Sequence, residues 1–283
     1  MTTTISNSIL TAEIKHTGAE LCSLKNNLNK EYIWNGNPDF WGKHSPVLFP
    51  IVGTLKNNTY QHNNSEYHLS RHGFAREMEF KLIDKKESCA TFSLVSSQET
   101  KEKYPFDFEL QLVYTLENKS LKIEYKVFNK GESKMPFSIG AHPAFDLPNN
   151  FEKYSLTFEE KDTLNYYLLE EGLISNATNS VSLNQNELQL NYELFANDAL
   201  VFKNIKSKSV TILEESKPLL KVSYPNFPDL GIWTPGKAPF ICIEPWFGYS
   251  DTVDKSGSLL DKEGIQILDA NETFHSAFSI EIL

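Results

Sequence analysis

The sequence predicts an all-β fold, a large antiparallel sandwich or barrel of many strands. Three observations carry that prediction. Apolar residues recur with period two over long stretches, turn-forming clusters interrupt them at intervals of roughly ten residues, and strongly helical segments are almost absent. In residues 106–116, Phe106, Phe108, Leu110, Leu112, Tyr114 and Leu116 alternate with Asp107, Glu109, Gln111, Val113 and Thr115. Glu117-Asn118-Lys119-Ser120 reads as a turn. The rhythm resumes with Leu121, Ile123, Tyr125 and Val127 against Lys122, Glu124 and Lys126. Side chains two apart on a strand share a face, so this is a hairpin with one face buried and one wet. Shorter strands are expected at residues 90–96, 209–213, 219–224 and 277–283. One helix is expected at residues 186–195. Residues 149–183 are the least patterned and are expected to hold long loops.

The 283 residues are expected to form one domain over residues 1–283, somewhat above the roughly 200–250 residues that all-β domains reach. A net charge of −10 argues against nucleic acid or an anionic membrane surface as partner. No segment approaches the roughly 18 apolar residues of a membrane span, and the first residues lack the basic start and apolar run of a signal peptide. Three scattered cysteines, Cys22, Cys89 and Cys242, fit a reducing compartment and no disulfide framework, so a cytoplasmic protein is expected, as a monomer or a homodimer, which the sequence does not decide.

Of 27 basic residues only two are arginine, and both lie in Arg71-His72-Gly73-Phe74-Ala75-Arg76. Lysine replaces arginine freely on a solvated surface, but not where a planar fork must hold an oxygen-rich group. Between the two arginines lies a histidine, the side chain suited to move protons near neutral pH. Two further segments break the period-two rule: Ile139-Gly140-Ala141-His142-Pro143-Ala144-Phe145 and Phe240-Ile241-Cys242-Ile243-Glu244-Pro245-Trp246-Phe247-Gly248. Each places a titratable residue in an apolar frame, and such local breaks concentrate at functional sites. Burial should raise the pKa of Glu244 unless a cation opposes it. Pro245 removes a backbone donor, so the strand is expected to end there or lie at a sheet edge.

His-Gly-Phe-Ala-Arg, then Gly-Ala-His-Pro-Ala-Phe, then Ile-Glu-Pro-Trp resembles the aldose 1-epimerases, or galactose mutarotases, and most closely their LacX-type branch. The resemblance extends to Phe49-Pro50-Ile51-Val52-Gly53 and Gly231-Ile232-Trp233-Thr234-Pro235. It implies a β-supersandwich of two large twisted antiparallel sheets. It also implies Glu244 as catalytic base, His142 as catalytic acid and His72 as a second histidine beside the sugar ring. At least one of Arg71 and Arg76 is expected to touch substrate hydroxyls or orient a carboxylate, Asp198 is the best match for an aspartate on sugar hydroxyls, and an apolar wall such as Trp246 or Phe145 is expected to stack against the sugar. Relatives often carry an arginine after the Val-Gly pair, where this chain has Thr54-Leu55-Lys56.

The implied reaction is anomer interconversion of a hexose such as galactose or glucose, which needs an acid and a base but no cofactor or metal. Three other readings stand beside it: a metal site built from the two histidines and the glutamate, a sugar-binding protein without catalysis, and an epimerase of hexose 6-phosphates. Against the metal stands the lack of a close ligand pair such as His-x-His.

Overall fold

A computed structural model describes residues 1–160, 163–255 and 257–283. Two antiparallel sheets dominate it. The first orders nine strands as Glu187–Gln189, Tyr154–Phe158, Ser209–Glu214, Lys217–Ser223, Thr273–Ile282, Ser120–Asn129, Phe108–Glu117, Cys89–Val95 and Lys81–Lys85. The second orders Leu173–Val181, Leu164–Glu170, Leu200–Phe202, Asp229–Trp233, Phe240–Phe247, Ile139–Ala141 and Val47–Leu48, with Ala144–Asp146 also paired to Phe240–Phe247. An N-terminal meander of Thr2–Ser6, Leu10–Lys15 and Leu21–Asn26 adds to them. Among the described residues the one α-helix is Gln98–Lys103, started by a capping box between Ser97 and Thr100.

The expected hairpin is present. Leu121, Ile123, Tyr125 and Val127 face Leu116, Tyr114, Leu112 and Leu110 across it, all eight buried. Asn118 takes the turn with φ +52°, a conformation asparagine tolerates better than most residues. The four shorter strands expected from period two are present as Cys89–Val95, Ser209–Glu214, Lys217–Ser223 and Thr273–Ile282.

Three expectations fail for physical reasons. Residues 186–195 are not a helix: Glu187–Gln189 pairs with Tyr154–Phe158, and Tyr192–Phe195 forms one 3-10 turn. The Asn186 side chain donates to the Phe158 carbonyl on the neighbouring strand, and the Asn191 side chain accepts from the Leu194 N–H, capping a turn that ends at Phe195. Residues 149–183 hold strands rather than long loops. Leu173–Val181 is the edge of its sheet and largely exposed, so it carries no apolar period to read. The strand bearing Glu244 neither stops at Pro245 nor lies at an edge, since Pro245 pairs with Leu230 inside the sheet. On the other side, Ile243 donates to the Pro143 carbonyl. Backbone donors two residues apart point the same way, so position 245 faces the same neighbour, where pairing lapses between Trp246–Gly140 and Cys242–Ala144. The missing donor falls in that gap.

The main core lies between the two large sheets. From the second sheet Leu200, Phe202, Leu230, Ile232, Ile241, Ile243 and Phe247 point into it. The alternate residues, Val201, Gly231, Trp233, Cys242, Glu244 and Trp246, therefore face the opposite side, where two small apolar clusters replace the core.

Candidate active site

On that second face lies a cavity of about 350 Å³, within the roughly 300–1,000 Å³ range of small-molecule sites. Arg71, His72, Arg76, His142, Asp198, Glu244 and Trp246 all line it. Residues separated by more than 170 positions in sequence are thus brought together by the sheet order.

His72 is set by its own loop. Its N–H donates to the Gly53 carbonyl at 2.7 Å, and its Nδ1 accepts from the Gly53 N–H at 3.1 Å. An accepting Nδ1 places the proton of the neutral ring on Nε2. His72 has φ +69°, uncommon for a residue with a side chain, and such strain clusters at functional sites. The next residue must be glycine, because a Cβ on Gly73 (φ +69°) would stand 2.3 Å from the Phe49 carbonyl oxygen.

His142 sits in the gap between Ile139–Ala141 and Ala144–Asp146, and Glu244 lies opposite on the adjoining strand. His142 Nε2 is 3.3 Å from Glu244 Oε2, and both residues are buried. The Trp41 ring stacks on the imidazole at 4.7 Å, while Trp233 and His72 meet it edge-on at 5.7 Å each. Trp246 occupies a slot between two glycines. A Cβ on Gly140 or Gly231 would come within 2.5 or 2.3 Å of the indole.

Arg71 Nη2 lies 3.8 Å from Asp198 Oδ2, a single contact in which both side chains stay partly exposed. Asp198 has φ +81°, and its other oxygen accepts from the Ala199 N–H at 2.8 Å. Arg76 is more enclosed and donates from Nη2 to the Arg71 carbonyl at 2.9 Å. Thr54 is not among the cavity residues. Its N–H donates to Ser250 Oγ and its carbonyl accepts from Asp251, which ties down the segment beside Gly53.

Burial decides the protonation of the pair. It pushes the Glu244 carboxyl well above its ordinary value, with Arg71 and the Trp246 indole opposing and Asp198 assisting. Burial pushes His142 down to about 3, helped by the charges of Arg71 and Arg76. His72 is also held well below its ordinary value, by burial first and then by His142 and the two arginines. Both shifts favour the neutral forms, a protonated carboxyl facing a neutral imidazole. A carboxylate facing an imidazolium is the same proton count with the proton moved from Glu244 to His142. The site can reach that state without exchanging a proton with solvent.

Sequence reasoning missed Trp41 and gave Trp233 no role. Trp41 lies in Asn35-Gly36-Asn37-Pro38-Asp39-Phe40-Trp41-Gly42, and two aromatics inside so polar a turn were a readable signal. Cys242 was likewise given no role in the sequence reading. Cys242 and Glu244, two apart on one strand face, lie with His142 so that their ligand atoms are all within 4.8 Å of one another.

The sequence profile of the aldose 1-epimerase family matches residues 1–265. The LacX proteins of Lactococcus lactis subsp. lactis, chromosomal and plasmid, are 37% identical to the chain over the full length of both partners. A galactose mutarotase related enzyme from Lactobacillus acidophilus superposes with a TM-score of 0.95 at 33% identity, over 100% of this chain and 97% of its own. A galactose mutarotase-like protein from Lactobacillus casei gives 0.91 at 31%, over all of both chains. A profile match over most of the length, with relatives above 30% identity matched end to end, makes this chain a member of the aldose 1-epimerase family.

Proposed function

We propose that the chain is an aldose 1-epimerase that interconverts the α and β anomers of a hexose such as galactose or glucose. The observation that carries this reading is the buried His142–Glu244 pair, 3.3 Å apart at the wall of a sugar-sized cavity. Ring opening takes a proton from the anomeric hydroxyl and gives one to the ring oxygen as the C1–O5 bond breaks and the C1 carbonyl forms. Glu244, as carboxylate, takes the first proton, and His142, as imidazolium, supplies the second. Rotation about C1–C2 and closure on the other face reverse both transfers, so each group returns to its starting state. Positioned acid–base groups contribute about 10²–10⁴-fold each. The Nε2–H of His72 is available to stabilise charge on the ring oxygen. Asp198 and Arg71 bind hydroxyls at the partly exposed rim, and Trp246, Trp41 and Trp233 supply apolar wall.

A second reading, a sugar phosphate as substrate, draws on one feature: two guanidinium groups, those of Arg71 and Arg76, line the cavity. Anomer exchange measured by proton NMR over free and phosphorylated hexoses separates the two. Freshly dissolved α-galactose or α-glucose should equilibrate faster with the protein than in buffer, with no added cofactor. Buffer rates for every sugar and sugar phosphate would overturn the enzyme reading.

A further inference from the structure

We propose that His142, Cys242 and Glu244 form a binding site for a thiophilic divalent cation such as Zn²⁺, and that its occupancy blocks the acid–base pair. The inhibitory half rests on the epimerase reading; the binding half does not. The three ligand atoms lie within 4.8 Å of one another and all three residues are buried. Tetrahedral zinc with bonds of about 2.0–2.3 Å separates its ligands by roughly 3.3–3.6 Å. The 3.3 Å from His142 Nε2 to Glu244 Oε2 already matches such an edge. Glu244 Oε2 accepts no hydrogen bond within the protein, and Cys242 is a free thiol. One nitrogen, one sulfur and one oxygen form a donor set suited to zinc rather than to magnesium or calcium.

His142 and Glu244 line the cavity while Cys242 lies behind them, so a fourth ligand, a water or a sugar hydroxyl, would enter from the cavity side. Binding breaks the S–H bond of Cys242 and the O–H bond of Glu244 and releases both protons to solvent. Three bonds to the metal form in their place, from sulfur, the carboxylate and the imidazole lone pair. With its lone pair and carboxylate committed to the ion, the pair can no longer exchange protons with a sugar.

The test titrates chelator-treated protein with Co²⁺, whose thiolate complexes absorb in the near ultraviolet, and measures Zn²⁺ affinity by competition. Wild type should develop the thiolate-to-cobalt band at one ion per chain. In Cys242→Ala the band should vanish and zinc affinity should fall by about 10²-fold. The same variant should keep the sugar activity of wild type while losing its sensitivity to zinc. Absence of the band in wild type, or equal zinc affinity in wild type and variant, would overturn the proposal. Cys242→Ser serves as the second variant if alanine disturbs folding. Because the cobalt spectrum needs no sugar turnover, it stands even if no hexose proves to be a substrate.

Discussion

At the scale of single residues, the site turns on two groups that burial drives in opposite directions. Glu244→Gln keeps the shape and hydrogen bonding of the carboxyl but cannot take a proton. Turnover should fall by about 10²-fold or more while sugar binding largely survives, measured by NMR exchange kinetics and calorimetry. Near wild-type turnover would make Glu244 structural. The arginines test a different property. Arg71 lines the cavity and reaches Asp198 through one nitrogen at 3.8 Å. Arg71→Lys conserves charge and loses the fork. It should lower kcat/KM by about 10-fold or more with the circular dichroism unchanged, and full activity would show that charge alone is needed there.

At the scale of elements, the second sheet makes the site by being two-faced. Its central strand Phe240–Phe247 is buried along its whole length, with Ile241, Ile243 and Phe247 in the main core and Glu244 and Trp246 on the cavity side. The indole of Trp246 has room only because Gly140 and Gly231 lack side chains. Gly231→Ala would place a methyl group 2.3 Å from the ring. Overpacking of this kind costs about 1–3 kcal/mol. The variant should melt lower and lose activity together, because the displaced ring also lines the cavity. Unchanged melting temperature and kinetics would mean that the indole moves aside freely.

At the scale of the whole molecule, the protonation of the site should be visible in stability. His142 falls from its ordinary 6.5 to about 3 on folding, so the unfolded chain binds this proton first as pH drops. Its contribution to stability is fully present above about pH 6.5 and is lost between there and about pH 3. Glu244 is raised, so above its ordinary 4.5 the unfolded chain releases a proton that the folded chain keeps. Its contribution is present below pH 4.5 and declines as pH rises toward the folded value. Glu244→Gln removes that decline. Melting curves from pH 4 to 9 should show the variant gaining on wild type as pH rises. A difference independent of pH would mean that Glu244 ionises in the folded protein as it does in the unfolded one.

The sequence by itself determined the fold class, because a face that must be dry imposes period two wherever a strand has one wet side. The hairpin of Phe108–Glu117 and Ser120–Asn129 was legible for that reason. The three segments carrying His72, His142 and Glu244 were legible as breaks in that rhythm. Leu173–Val181 was not, because an exposed edge strand buries too little to leave a pattern. Nor was the passage of a strand through Pro245, since the lapse in pairing that its missing donor faces lies on a neighbour more than 100 residues earlier in the chain. Only the tertiary structure decided which residues share the cavity, set Trp41 against His142, and laid Cys242 beside His142 and Glu244. Those relations depend on strand order and crossings, which local sequence does not encode, whereas the period and its interruptions are local and can be read along the chain.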